Sequence, residues 1–236
     1  MLGKAVKIDN LCAAYGQAQV LHGVSLEVGE GEVVALLGRN GAGRTTTLRS
    51  IMGLVSKRSG SIRIYGEETI GWQPYRVARK GVGFCPEERG IFSSLTCEEN
   101  LLLPPRVRGS AAALSLDEIY FLFPNLAERS STVGTKMSGG EQQMLAIARI
   151  LRAGARTLLL DEISEGLAPV IVRSLGTLIR DLKKRGYTIL MVEQNFRFAQ
   201  PLADRFYFIE NGAVAEMVHK SDLAGRSDAL NNYLSV

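Results

Sequence analysis

The apolar run Val33–Leu37 ends at Gly38-Arg39-Asn40-Gly41-Ala42-Gly43-Arg44-Thr45, and the chain continues in helical register from Thr45 to Met52 before a glycine stop at Gly53. A strand, a glycine-rich loop and a helix in that order admit few folds. The loop leaves its N–H groups and the positive end of the helix facing one point, which suits a phosphate. The spacing fits the phosphate-loop pattern GxxxxGK followed by Ser or Thr, with Arg44 where lysine is expected. In that pattern the backbone from Gly38 through Asn40, Gly41, Ala42 and Gly43 wraps phosphates. Arg44 supplies the cation, Thr45 places its hydroxyl on Mg²⁺, and Thr46 reaches the α-phosphate.

The rest of the chain repeats the alternation. Ile62–Tyr65, Val82–Phe84, Thr157–Leu160 and Thr188–Val192 read as strands, and Val170–Arg185 reads as the helix between the last two. Strands alternating with helices predict a mostly parallel sheet covered on both faces. Ala5–Ile8 and Ser25–Val28, with Ile62–Tyr65, suggest a small antiparallel layer. The middle differs: Thr96-Cys97-Glu98-Glu99, Ser115-Leu116-Asp117-Glu118 and Ser138-Gly139-Gly140-Glu141 are capping boxes that open helices. Pro104-Pro105 and the stretch at 109–113 separate the first of these helices from the second. Residues about 88–153 are therefore expected to form a helical subdomain inserted into a single domain spanning 1–236. Phe206–Ile209 and Ala213–Val218 flank Asn211-Gly212 as a hairpin, and a short terminal helix is expected after it.

The bulk properties narrow the class. The chain has 236 residues, a net charge of +4, three cysteines and two histidines. Scattered cysteines without a CxxC argue against a disulfide framework, and two histidines argue against a histidine-built metal site or triad. The basic residues come in short groups such as Lys183-Lys184-Arg185, so no nucleic-acid partner is expected. The apolar runs fall far short of the ~18 residues of a membrane helix, and the N-terminus lacks a signal-peptide core. A cytosolic protein is the expectation.

Two further features carry chemistry. Leu158-Leu159-Leu160 ends in Asp161-Glu162, and an acid pair at a strand end downstream of a phosphate loop suits metal binding (Asp161) and polarisation of an attacking water (Glu162). Ser138-Gly139-Gly140 begins a helix with bare N–H groups, a second phosphate cradle. One nucleotide needs one cradle. Two in one chain are reconciled by a head-to-tail pair in which each chain's second cradle, through Ser138 and Gly140, covers the partner's nucleotide.

That order of motifs resembles the ATP-binding subunits of ABC transporters over essentially the whole chain. The resemblance implies an α/β fold with a RecA-like, mostly parallel sheet, a small antiparallel β layer and an inserted helical subdomain. It places at Tyr15 the aromatic that stacks on adenine. Glu87 takes the place of a Gln that links Mg²⁺ to the membrane partner, and Gln194 that of a His that touches the γ-phosphate. An oxygen ligand and an amide donor are kept at these positions. Glu193-Gln194-Asn195, Pro86-Glu87 with Arg89, and Ser164-Glu165-Gly166-Leu167-Ala168-Pro169 look like the branched-chain amino acid uptake branch, whose close relatives move amides and urea. Beyond Glu87 and Gln194, further departures from the family are Ile163 for a proline, Glu88-Arg89-Gly90 for a Gly-Arg, and Arg44 for the phosphate-loop lysine. The implied protein binds ATP and Mg²⁺ and pairs with a homologous ATPase. It docks on the inner face of the cell membrane beneath two permeases, fed by a solute-binding protein. Two readings remain open at this point: an ATPase that drives uptake, or a regulatory subunit that closes on ATP and hardly hydrolyses it because of Arg44. A relative acting on nucleic acid or the ribosome would usually carry two such domains.

Overall fold

The structure, a computed structural model, describes residues 3–107 and 113–225. The chain opens with two long strands, β1 (Lys4–Tyr15) and β2 (Ala18–Gly29), followed by β3 (Val33–Leu37) and α1 (Arg44–Ile51). Next come β4 (Lys57–Ile64), the short β5 (Glu67–Glu68), α2 (Pro74–Arg79) and β6 (Val82–Cys85). Four helices follow: α3 (Cys97–Leu102), α4 (Leu116–Leu122), α5 (Pro124–Glu128) and α6 (Gly139–Ala153). The chain then returns to alternation with β7 (Thr157–Asp161), α7 (Pro169–Lys184), β8 (Thr188–Glu193) and the short α8 (Phe196–Ala199). It closes with the hairpin β9 (Arg205–Glu210) and β10 (Ala213–His219) and a 3₁₀ turn at Lys220–Gly225. The terminal helix expected after that turn, and most of the break at 109–113, lie outside the described residues.

Two sheets result. β2-β1-β4-β5 is antiparallel throughout, and the larger sheet runs β10-β9-β3-β8-β7-β6. In the larger sheet every neighbouring pair is parallel except the β9–β10 hairpin at its edge. Alternation along its strands divides the core. Val34, Leu36, Leu159, Leu190 and Val192 face a cluster shared with the small sheet and α1, whereas Ala35, Leu158, Leu160, Ile189 and Met191 face the other side. That second cluster continues without a break into the helices of the middle region, through Leu101, Ile119, Leu126 and Leu145. Both faces are thus covered, as near-continuous apolar strands require.

The three capping boxes form as the sequence predicts. Thr96, Ser115 and Ser138 each accept from the backbone N–H three residues on, and the glutamate there reaches back to the cap N–H. Gly154 at φ +97° ends α6. The register aligns the carboxyl ends of four strands: Leu37 lies opposite Glu193, Val192 opposite Asp161, and Leu160 opposite Cys85. Ligand sites of open α/β sheets lie beyond such ends, and all the candidate residues that follow these strands are brought there.

Candidate functional site

The loop from Gly38 to Gly43 leaves β3 and opens into α1. It is cramped on its inner side: a Cβ on Gly38 would lie 2.4 Å from the Ile209 carbonyl oxygen, and one on Gly43 would lie 2.6 Å from the Leu21 side chain. Gly43 also sits at φ +106° as the helix cap. Glycine is required at both positions, by contact with β9 and β2 respectively and, at Gly43, by the backbone conformation. The tip of the β9–β10 hairpin braces the loop, with Gly212 donating to the Ala42 carbonyl at 2.9 Å.

A cleft of about 250 Å³ opens over this loop, lined by Asn40, Gly41, Gly43, Thr45, Thr46 and Glu87, together with Arg44, Glu162, Glu165 and Val20. Thr45 Oγ1 donates to Asp161 Oδ1 at 3.0 Å, so the hydroxyl and carboxylate predicted for the metal meet across two elements. Asp161 Oδ2 is buried and has no hydrogen-bond partner among the described residues. Such an oxygen is costly unless a cation or donor arrives, and the hydroxyl–carboxylate set suits Mg²⁺. Burial pushes the Asp161 carboxyl up to about 6, against the pull of the Thr45 hydrogen bond and with the Glu87 charge adding to the rise.

Arg44 is the unexpected element. Its side chain is 4% exposed, and Nη2 contacts both Asn40 Oδ1 at 2.8 Å and Glu162 Oε1 at 2.7 Å. Nη1 is buried with no partner among the described residues. The fork therefore holds Glu162 with one nitrogen and leaves the other for an anion in the cleft. Glu162 itself occupies the left-handed region at φ +47°, with its N–H bound to the Val192 carbonyl at 2.9 Å. Burial, and then the hydrogen bond to Glu165, push its carboxyl up to about 7 despite the nearby Arg44 charge. A carboxyl poised near neutrality can accept a proton from water.

The other predicted residues lie outside this cleft's lining. Tyr15 ends β1 and is exposed, Gln194 is exposed just past β8, and Gly38 and Ala42 are buried behind the loop. Ser138, Gly139 and Gly140 open α6 elsewhere on the chain and line no part of the cleft. The capping box uses the Ser138 and Glu141 N–H groups, which leaves those of Gly139 and Gly140 without intrahelical partners. Arg89, at φ +66°, donates to Gln142 at 2.8 Å and lies against Gly139.

Two acids carry no role in the sequence reading. Glu165 stands three residues after Glu162 and shares its hydrogen bond. Glu193 ends β8 at 1% exposure and accepts from Ser164. Glu193 closes an apolar strand, and that lone acid in an apolar context was the available signal.

The comparisons with known proteins agree with this geometry. A family model described as ABC transporter matches residues 21–165. The high-affinity branched-chain amino acid transport ATP-binding protein BraG of Pseudomonas aeruginosa is 44% identical, over 89% of this chain and 90% of its own length. The lipopolysaccharide export system ATP-binding protein LptB of Haemophilus influenzae is 35% identical, over 87% of each chain. A solved structure described as the ATP-binding subunit of an ABC transporter superposes with a TM-score of 0.81 at 28% identity, over 97% of each chain. On the strength of motif order, sheet topology and these matches, the chain belongs to the ATP-binding subunits of ABC transporters, the P-loop ATPases of those systems.

Proposed function

We propose that this chain hydrolyses ATP at a site shared head to tail with a similar chain, and so drives an importer of branched-chain amino acids or related small solutes. The carrying observation is the separation of the two cradles: Ser138, Gly139 and Gly140 line no part of the cleft that holds Arg44, Thr45 and Glu162. A second chain brings them together. In this reading Gly38 to Gly43, Thr45 and Thr46 hold the phosphates through backbone N–H groups and hydroxyls, and Tyr15 stacks on the adenine. Ser138 and Gly140 close on the γ-phosphate from the partner, and Gln194 donates to it. Thr45 and Asp161, with Glu87 nearby, would hold Mg²⁺, which would supply neutralisation of the phosphate charge. Glu162 accepts the proton of the attacking water, and Arg44 turns its free Nη1 towards the phosphate.

The importer assignment rests on the likeness to BraG over most of both chains and on Glu193-Gln194-Asn195 and Ser164 to Pro169. Residues 1–236 act as one domain with the helical segment at about 88–153 as its subdomain. Among the described residues no helix is long and apolar enough to cross a membrane. In this reading the chain docks beneath two permeases at the inner face of the membrane. A groove of about 870 Å³ supports this. It is lined by Tyr75, Phe84, Pro104, Pro105 and Ile150 among others, and Phe84 lies three residues before Glu87 of the phosphate cleft. One short segment thus touches both cavities. A solute-binding protein completes the system.

The second reading, a subunit that closes on ATP with little hydrolysis, is favoured by one observation: the Arg44–Glu162 ion pair engages the acid that has to accept a proton. Uptake of labelled leucine by cells lacking the gene, complemented with the parent chain or with Glu162→Gln, tests the proposal. Loss of uptake restored only by the parent supports it. Leucine uptake that is unchanged by the deletion contradicts the branched-chain amino acid assignment and leaves the related small solutes to be tried in the same assay.

A further inference from the structure

Glu162 has to be aimed, and its own backbone does not favour its position. A non-glycine residue at φ +47° carries strain of order 1–3 kcal/mol and keeps that conformation only where its surroundings impose it. One anchor is the N–H bond to Val192. Ile163 follows where the family has proline, so no ring fixes the next φ. The second anchor stands beyond it. Ser164 donates to Glu193 twice, from N at 3.3 Å to Oε1 and from Oγ at 2.7 Å to Oε2.

We infer that Glu193 is a positioning residue for hydrolysis: by clasping both donors of Ser164 it holds the 162–164 segment against the end of β8 and sets the Glu162 carboxylate over the phosphate loop. The inference rests on the proposed role of Glu162. Three observations carry it. Glu193 is 1% exposed, and burying a carboxyl is costly unless its oxygens are used. Both oxygens are spent on a single residue, two positions past Glu162. From adjacent residues of one strand, Val192 holds the Glu162 N–H itself and Glu193 holds Ser164, so the 162–164 segment is fixed at both ends. The same strand leads directly into Gln194, and phosphate contact there and the placement of Glu162 share one rigid support. Burial pushes Glu193 up to about 8, against the hydrogen bonds from Ser164.

The test measures kcat, KM and nucleotide affinity for Ser164→Ala, Glu193→Ala and Glu193→Gln, with Glu162→Gln alongside. A misplacement of about an ångström costs up to about 100-fold in rate, so Ser164→Ala and Glu193→Ala should lose about tenfold or more in kcat. Their nucleotide affinity should stay within about twofold, and Glu193→Gln, which keeps an acceptor for Ser164, should restore most of the rate. Ser164→Ala remains informative where Glu193→Ala fails to fold. Parent-like kcat in Ser164→Ala overturns the inference. Equal loss of affinity and rate in every variant, without rescue by Glu193→Gln, also overturns it, because that is a structural role. A Glu162→Gln variant that hydrolyses at the parent rate refutes the role of Glu162 itself, a separate failure.

Discussion

Replacing Arg44 by lysine should raise the hydrolysis rate while changing nucleotide affinity little. Nη2 of Arg44 stands 2.7 Å from Glu162 and 2.8 Å from Asn40, and Nη1, with no partner among the described residues, can turn to a phosphate. With nucleotide in place the fork can serve the phosphate and still hold Glu162, and the guanidinium then competes with the attacking water for that proton acceptor. A lysine Nζ reaches about as far as the arginine Cζ, so it stops one C–N bond of about 1.3 Å short of Nη2. The contact with Glu162 then lengthens from 2.7 Å to about 4 Å. At an effective dielectric of about 20, the attraction falls from about 6 to about 4 kcal/mol, which corresponds to a ceiling of about 30-fold in rate. Phosphate charge in the cleft screens part of that, so the expected rise in kcat is about 3- to 30-fold. Backbone N–H groups carry most ground-state phosphate binding, and Kd should shift by no more than about twofold. Steady-state hydrolysis and nucleotide titration on both versions, with permeases where they co-purify, check this. A lysine variant with unchanged kcat and much tighter nucleotide binding would refute the reasoning, because Arg44 would then act on the ground state alone.

Three further outcomes are expected. MgATP at about 100-fold above Kd should add about 2.7 kcal/mol, a rise of about 5–10 °C in Tm, and a flat melting curve at millimolar MgATP would contradict the phosphate cleft. Gly38→Ala places a Cβ against the Ile209 carbonyl, an atom that cannot rotate away, and should cost about 1–3 kcal/mol in urea unfolding with loss of nucleotide binding. Glu193 keeps its proton to about pH 8 in the folded chain and to only about pH 4.3 in the unfolded one, so the folded state binds more protons in between. Stability of the nucleotide-free protein should therefore fall as pH rises through that window. Asp161 and Glu162, both also raised, contribute at its lower end. Glu193→Gln should flatten the slope and raise Tm at pH 8, and an unchanged slope would mean that Glu193 is already ionised when folded.

Local signals made most of the fold legible. Capping boxes at Thr96, Ser115 and Ser138 mark helix starts by side-chain chemistry that acts over four residues, and all three stand where the sequence puts them. Buried parallel strands such as Leu158–Leu160 read as unbroken apolar runs. β1 and β2 were legible only in part, because polar residues on their exposed face interrupt the apolar signal and the strands run to twelve residues each. The short α2 and β5 have too few turns or rungs to show a period. In the site, the loop, Thr45 and Asp161 follow from motif and distance alone, and their meeting at 3.0 Å is what the sheet register adds. The ion pair between Arg44 and Glu162 was not legible, since it depends on where a long side chain turns inside a cleft. Nor was the Glu193–Ser164 clasp, whose members lie 29 residues apart and meet only because β7 and β8 are neighbours.

Shared-site hydrolysis is tested most directly by the solution mass of Glu162→Gln with and without MgATP. The substitution removes proton acceptance and leaves both cradles intact, so the closed pair should persist. A monomer without nucleotide and a dimer with MgATP, either with itself or with the second ATPase chain of the same system, is the predicted result. A Glu162→Gln chain that binds ATP and remains monomeric with that second chain supplied would contradict it.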